Sequence, residues 1–475
     1  MPALTSKPKT ALLGHGRQVV LAPSLRKRHL VLPPPTFEDQ RGDLLPLSQA
    51  LRDLELEVPL TALRCLPVVL RSAAFELTAV VGGHHLVAIE PSDTSAQCLG
   101  LALDLGTTTI AAALIDLTSG EIVALGSALN DQERFGSDVI SRITLAMEMK
   151  TGATKLRRTV LASINGPLVQ LLGSTSLSGE RVYHAIIAGN STMLHLLLAV
   201  DPAAFALARL RQRSPNRSIW PPTRLASRST RKLASRPFRS SEPTSGATSA
   251  PAGLAFEGAE IRCGMLATDG AIEAIRMGET MELDIIGDGL EARGICGSGL
   301  ADAVAGLLRT RLLDSSDRLK RRDEVPDHPL CARLVTIDGM PAFRLAEGVE
   351  LTLLDLRTLQ NAKDAMAAGV QILLAKAGLK AEQVDEVLLA GSFGTYIDPA
   401  SARALGLAPP IDLERVIASG SSSLEGAKMA LLSLREEQLG NGLAMRIEYV
   451  ELSGRADLTP TFTDSLAFPV PGTVT

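Results

Sequence analysis

Asp104-Leu105-Gly106-Thr107-Thr108-Thr109 is the segment whose residue types and spacing most directly suggest chemistry. It stands between two apolar runs, LGLALDL and IAAALIDL, and so reads as the turn between two strands. Gly106 lets the main chain turn tightly where a phosphate must come close. The amides and hydroxyls of Thr107, Thr108 and Thr109 can donate to phosphate oxygens. Asp104, at the strand end, can hold a hydrated Mg²⁺ beside them. An ordinary hairpin with a capping aspartate would use the same residues; the strand–turn–strand setting favours phosphate.

Two glycine-bearing segments extend this reading. Gly391-Ser392-Phe393-Gly394 follows the apolar run Leu388-Leu389-Ala390 and precedes Asp398-Pro399, which opens a helix. Glycines three apart allow a nucleotide close to the backbone, and a helix start favours anions. Gly297-Ser298-Gly299 precedes an apolar helix and fits a phosphate loop, a hinge or a glycine-assisted N-cap. Asn130 and Asp138 fit loop caps and Arg134 a surface charge, while His195 reads first as a structural helix histidine.

These motifs need elements to hold them. Strands at 99–105, 110–117 and 122–129, joined by glycine-containing turns, form an antiparallel meander. Helices are expected at 135–149, 154–173, from Ser191, and at 269–277, 298–313, 355–378 and 424–437, with strands at 182–188 and 385–390. Strands followed by helices, twice over, indicate two α/β lobes. Before them, residues 1–97 form a small α+β unit, with a frayed start, the Pro33-Pro34-Pro35 break, a helix at 43–54 and short strands and a helix over 56–90. VPLTAL, LPVVLRSA, ELTAVVGG and HLVAIE together supply those short strands and that helix. The lobes are assigned to 98–202 and 253–475.

Residues 203–252 break the pattern. Nine arginines and Lys232 crowd into 209–239, with no acidic residue between Asp201 and Glu242. A disordered basic linker, a nucleic-acid arm and an out-of-frame stretch of a GC-rich gene each account for that composition. Over the whole chain, a formal charge of −4 and 3% aromatic residues argue against nucleic acid as a partner. No uncharged apolar run reaches the ~18 residues of a membrane span, and the start lacks a secretory pattern, so a cytoplasmic protein is expected. The five cysteines, Cys65, Cys98, Cys263, Cys296 and Cys331, include no CxxC or CxxxxC pair, so no iron–sulfur cluster is expected in this chain.

The turn at 104–109 and the GSFG segment resemble the actin, sugar-kinase and heat-shock ATPase superfamily. Within it the chain is most similar to the reductive activators of corrinoid proteins. LPPPTFEDQRGDL (32–44), ALNDQERFGSDVISRI (128–143), AGNSTMLHLLLAVDP (188–202), AFEGAEIRCGM (255–265), GICGSGLADAVAGLL (294–308), LQNAKDAMAAG (359–369) and YVELSGRADL (449–458) carry the rest of the resemblance. It implies a two-lobed nucleotide-binding fold and ATP-driven reduction of a cob(II)alamin-type corrinoid protein to Co(I). It also implies that Asp104, Gly106, Thr107 and Thr108 form the first phosphate and Mg²⁺ turn, and Gly391, Ser392, Phe393 and Gly394 the adenosine-side turn.

Two departures qualify the resemblance. The family usually carries an N-terminal [2Fe–2S] ferredoxin domain with four cysteine ligands, which is not expected in this sequence, so either electrons come from a separate donor such as a ferredoxin or the start of the gene has been lost. It also places a Gly-Gly-Asp segment and a second Asp-Gly-Thr hairpin before AFEGA, where residues 203–252 contain no aspartate at all. Residues 241–249 can be encoded so that a one-base shift restores a Gly-Gly-Asp segment. A corrinoid-binding relic without ATP turnover is the alternative function, and a small-molecule kinase a further one.

Overall fold

The computed structural model describes residues 14–203, 261–444 and 446–469, except 15, 40, 137, 174–178, 449, 451, 453 and 454. From residue 204 onward the basic stretch, with its expected disorder, lies outside the described residues.

In the N-terminal unit, strand β1 (Leu25–Val31) pairs antiparallel with β2 (Glu76–Gly82), and β2 with β3 (His85–Pro91). Helices α1 (Leu44–Ala50) and α2 (Leu60–Ser72) cover one face. LPVVLRSA supplies the expected helix, lying within α2 up to Ser72. Ala62, Leu66 and Leu70 recur every four residues, and this single stripe buries against Leu77, Ala79 and Leu86. VPLTAL likewise runs into the start of α2.

The first lobe is a four-stranded sheet, β4 (Leu99–Leu105), β5 (Thr109–Asp116), β6 (Ile122–Leu129) and β7 (Val182–Gly189), in the order β6-β5-β4-β7. The first three form the expected meander, and β7 runs parallel to β4. A 3₁₀ turn (Asp131–Phe135) leads to α3 (Val139–Glu148). Helices α4 (Gly152–Gly173) and α5 (Ser191–Leu198) close one face through Leu156, Val160, Leu196 and the alternate strand residues Leu101, Leu103 and Leu114.

The second lobe begins with β8 (Ala271–Met277), β9 (Met281–Ile285) and β10 (Gly294–Ile295), in the order β10-β8-β9. The helix expected at 269–277 is therefore a strand. Ile272 and Ile275 are β-branched, and the segment finds pairing partners on both edges, so tertiary pairing overrides the local preference. Helix α6 (Gly297–Arg309) follows, then a hairpin sheet of β11 (Leu334–Ile337), β12 (Met340–Ala346) and β13 (Val349–Thr352). Helix α7 (Leu353–Ala377) starts at a Thr352–Asp355 capping box and stops at Gly378, where φ is +68°. Parallel strands β14 (Val387–Ala390) and β15 (Val416–Gly420) flank α8 (Gly391–Tyr396) and α9 (Pro399–Leu405).

The chain then crosses back. Helix α10 (Ser422–Leu432) lies on the free face of the first-lobe sheet, packing Leu424, Ala427 and Leu431 against Ala102, Ala111, Ala113 and Tyr183. Residues assigned by sequence to 253–475 thus complete the core of 98–202. The expected helix 424–437 is broken at Ser433, where α11 (Leu434–Ala444) begins. Main-chain groups on either side of the break bond to Ala22, which donates to Leu432 O and accepts from Leu434 N, both at 2.9 Å.

After α12 (Leu458–Asp464) the chain docks on α7. Lys363 Nζ donates to the carbonyls of Ser465 and Ala467, and the Phe468 ring sits 1% exposed in the second-lobe core. Phe468→Ala is expected to cost about 3–5 kcal/mol. A denaturant midpoint unchanged from the parent would contradict this anchoring.

Candidate functional site

The turn at 104–109 is built by strand pairing. Leu105 lies opposite Ile110 on β5 and opposite Gly189 on β7, so the turn and the start of α5 emerge side by side. Gly106 N donates to Thr109 O at 3.0 Å, and a Cβ at Gly106 would lie 2.3 Å from that oxygen. Only glycine fits this closure. Asn190 caps α5 by accepting from Met193 N, while its Nδ2 donates to Thr107 Oγ1 at 3.1 Å. The side chains and amides that could meet a phosphate therefore sit on a tightly held loop.

The second motif approaches from the other lobe. Ala390, at the end of β14, is in register with Gly420 on β15, and Ser419 Oγ donates to Leu389 O at 3.3 Å. One residue further, Ser421 Oγ donates to Asp104 Oδ2 at 2.9 Å. The same oxygen accepts from Leu424 N and caps α10. Gly391 has φ +90° and no atom within 4 Å of a would-be Cβ, leaving room beside its main chain. Gly394 instead serves packing, since a Cβ there would meet Leu389 C at 2.6 Å. The Ser392 and Phe393 side chains lie outside the described residues. As expected, Asp398-Pro399 opens a helix, with Asp398 accepting from Ser401 N.

Asp104 is partly buried, and lost hydration pushes its carboxyl above the usual aspartate value of 3.8, with the Ser421 hydroxyl pulling it partway back. A cation beside it would favour the ionised form. A carboxylate, threonine hydroxyls and a turn opened by Gly106 together fit an Mg²⁺–phosphate group.

Gly297-Ser298-Gly299 forms the first turn of α6, buried against β8. Ser298 Oγ donates to Glu273 O at 2.8 Å, and a Cβ on Gly299 would lie 2.4 Å from Ile272 O. The side chains here join helix to strand, which leaves only main-chain amides for any phosphate. Gly299→Ala is expected to destabilise the lobe by about 3 kcal/mol by forcing α6 off β8; a melting curve matching the parent would refute it. Asp302, one turn on, accepts from Ile275 N at 3.2 Å on the same strand, and burial pushes its carboxyl up to about 6. It lines a cleft of about 610 Å³ with Arg276, Arg309 and Asp398, none of them from the 104–109 turn.

The segment 130–138 is a run of caps. Asn130 accepts from Gln132 N, Asp138 accepts from Ser141 N at 2.9 Å, and Arg134 donates to Thr159 Oγ1 at 3.2 Å. His195 pairs with Ser191 O inside its own helix. Sequence reasoning missed Ser421, whose only signal is a Gly-Ser run between a strand and a helix, and Arg142, an arginine hidden in an amphipathic helix. Among the described residues the five cysteines are free thiols, and no group of three or more His, Cys, Asp or Glu side chains could hold a metal. No described helix is long and apolar enough to cross a membrane.

Comparison with known proteins agrees along the chain's length. Residues 14–96 match the RACo linker region, 99–221 the RACo middle region, and 242–474 the C-terminal domain of RACo, the ASKHA domain. The corrinoid activation enzyme RamQ of Eubacterium limosum is 28% identical over 440 residues, covering 82% of this chain and 74% of that protein. The [Co(II) methylated amine-specific corrinoid protein] reductase of Methanosarcina barkeri is 29% identical over 206 residues, 39% of this chain and 34% of that one. A solved reductive activator for corrinoid, iron–sulfur protein superposes with a TM-score of 0.79 at 28% identity, covering 99% of this chain and 85% of the other.

Proposed function

Because the chain belongs to the RACo family of corrinoid reductive activators, built on an ASKHA domain, we propose that it uses ATP to drive reduction of a corrinoid protein of a methyltransferase system. The observation that carries this reading is the Ser421–Asp104 contact, which brings the phosphate-type turn of one lobe to the β14–β15 edge of the other. Asp104 would hold Mg²⁺, and Gly106 to Thr109 the phosphates. Gly391 to Gly394 would lie on the adenosine side. ATP supplies the free energy that an unfavourable reduction to Co(I) requires. The chain's own part is mechanical: nucleotide shifts the balance between lobe arrangements, and the corrinoid protein must prefer one of them, since equal affinity shifts nothing. Electrons come from a separate donor such as a ferredoxin, given the dispersed cysteines.

The test is ATP hydrolysis stimulated by a corrinoid protein, together with loss of the cob(II)alamin absorbance when a donor is added. A second reading has one observation behind it: residues 203–252 contain no aspartate and so no second Asp-Gly-Thr turn. It predicts corrinoid-protein binding with ATP turnover absent. Stimulated turnover overturns the second reading, and binding without turnover overturns the first.

A further inference from the structure

We propose that Arg142 and Asn130 are positioning residues that aim the amides of the phosphate turn. This rests on the reading of 104–109 as a nucleotide site. Three consecutive carbonyls of the turn are held from behind. Gly106 O accepts from Asn130 Nδ2 at 3.0 Å, Thr107 O from Arg142 Nη1 at 2.8 Å, and Thr108 O from Asn130 N at 2.7 Å. In a trans peptide the carbonyl of one residue and the N–H of the next point in opposite directions. Drawing the carbonyls of 106, 107 and 108 backward therefore turns the N–H groups of Thr107, Thr108 and Thr109 forward.

The clamp is itself fixed. Arg142 is 0% exposed, and its Nε donates to Gly136 O at 2.9 Å, so the guanidinium spans from its own helix start to the turn. Gln132 Oε1 accepts from Arg142 Nη1 at 3.3 Å, and Gln132 Nε2 is anchored on Leu156 O of α4. Gly136, at φ +156°, allows the close approach, since a Cβ there would lie 2.5 Å from Ser141 Cβ. The turn's orientation is thus preset before any ligand arrives, the arrangement that makes donors effective toward an anion.

The experiment compares adenosine, AMP, ADP and Mg-ATP binding to the full chain and to Arg142→Lys by calorimetry, with a melting curve for each. In the parent, affinity should rise with the number of phosphates. In Arg142→Lys the adenosine affinity should be kept while the ATP affinity falls about tenfold, equivalent to about 1.4 kcal/mol. A purely structural role would weaken all four ligands alike. Asn130→Ala, which leaves Arg142 in place, must show the same phosphate-dependent loss and gives an answer even where Arg142→Lys does not fold. Folded variants that bind Mg-ATP as the parent does overturn the clamp with the nucleotide reading intact. A parent that binds none of the four ligands overturns the nucleotide reading, and the clamp with it.

Discussion

Asp104→Asn is expected to weaken Mg-ATP binding on the order of 100-fold, about 2.8 kcal/mol, while the melting temperature at neutral pH matches or exceeds that of the parent. Asparagine keeps the shape and an acceptor for Ser421 Oγ but removes the charge that would neutralise Mg²⁺. Metal-free ATP, which the Asp104 carboxylate would repel, should bind the variant at least as well as the parent. If Asp104 were only a hairpin cap, calorimetry would show unchanged Mg-ATP binding. The raised carboxyl also sets a pH dependence. Mg-ATP affinity should fall on acidification at a higher pH than the ordinary aspartate value of 3.8, as the carboxylate takes up its proton. For stability the sign is opposite. Asp104's contribution is fully present below that value and is lost as pH rises through the raised one.

Glu90→Ala should cost about 3–5 kcal/mol, the penalty for leaving a buried charge without its partner. Lys27 Nζ meets Glu90 Oε2 at 2.5 Å with almost none of the lysine side chain exposed. Thr94 Oγ1 and Tyr183 OH donate to the same carboxylate, so one residue of the N-terminal unit joins β1, β3 and first-lobe strand β7. Burial raises the Glu90 carboxyl, but the donors Lys27, Thr94 and Tyr183 outweigh it and hold it below its usual 4.5. The network therefore stabilises the protein above that value and is lost as pH falls through the depressed one. Denaturant unfolding at neutral and acid pH measures both effects. Equal stability of parent and variant at pH 7 would contradict the prediction.

The strand–turn–strand at 99–116 was legible because the sequence states it locally: two apolar strands, a glycine and three threonines stand in order. The Asp398-Pro399 helix start was legible for the same reason. What the sequence does not state locally is who pairs with whom. Residues 269–277 carry enough helix-compatible residues to look helical, yet strands on both sides claim their backbone. Ser433 looks like any helix residue, yet Ala22, more than four hundred positions away, bonds the main chain on either side of it. Ser421 and Arg142 belong to this class too. Each matters through one contact with the 104–109 turn, made by a residue whose own neighbourhood gives no sign of it.

Helix α10 has a consequence for how the protein must be made. The first-lobe strands are complete once Gly189 has been synthesised, but the face formed by Ala102, Ala111, Ala113 and Tyr183, which the N-terminal unit meets through Leu25, Val80 and Ala88, receives Leu424, Ala427 and Leu431 only when residues 424–432 are made. At ~5–20 residues per second, a ribosome needs roughly 10–50 s to bridge that interval, and all that time part of an apolar sheet face stands uncovered. Contacts so distant along the chain also close slowly. A message truncated before residue 424 is therefore expected to yield a half-covered sheet prone to self-association.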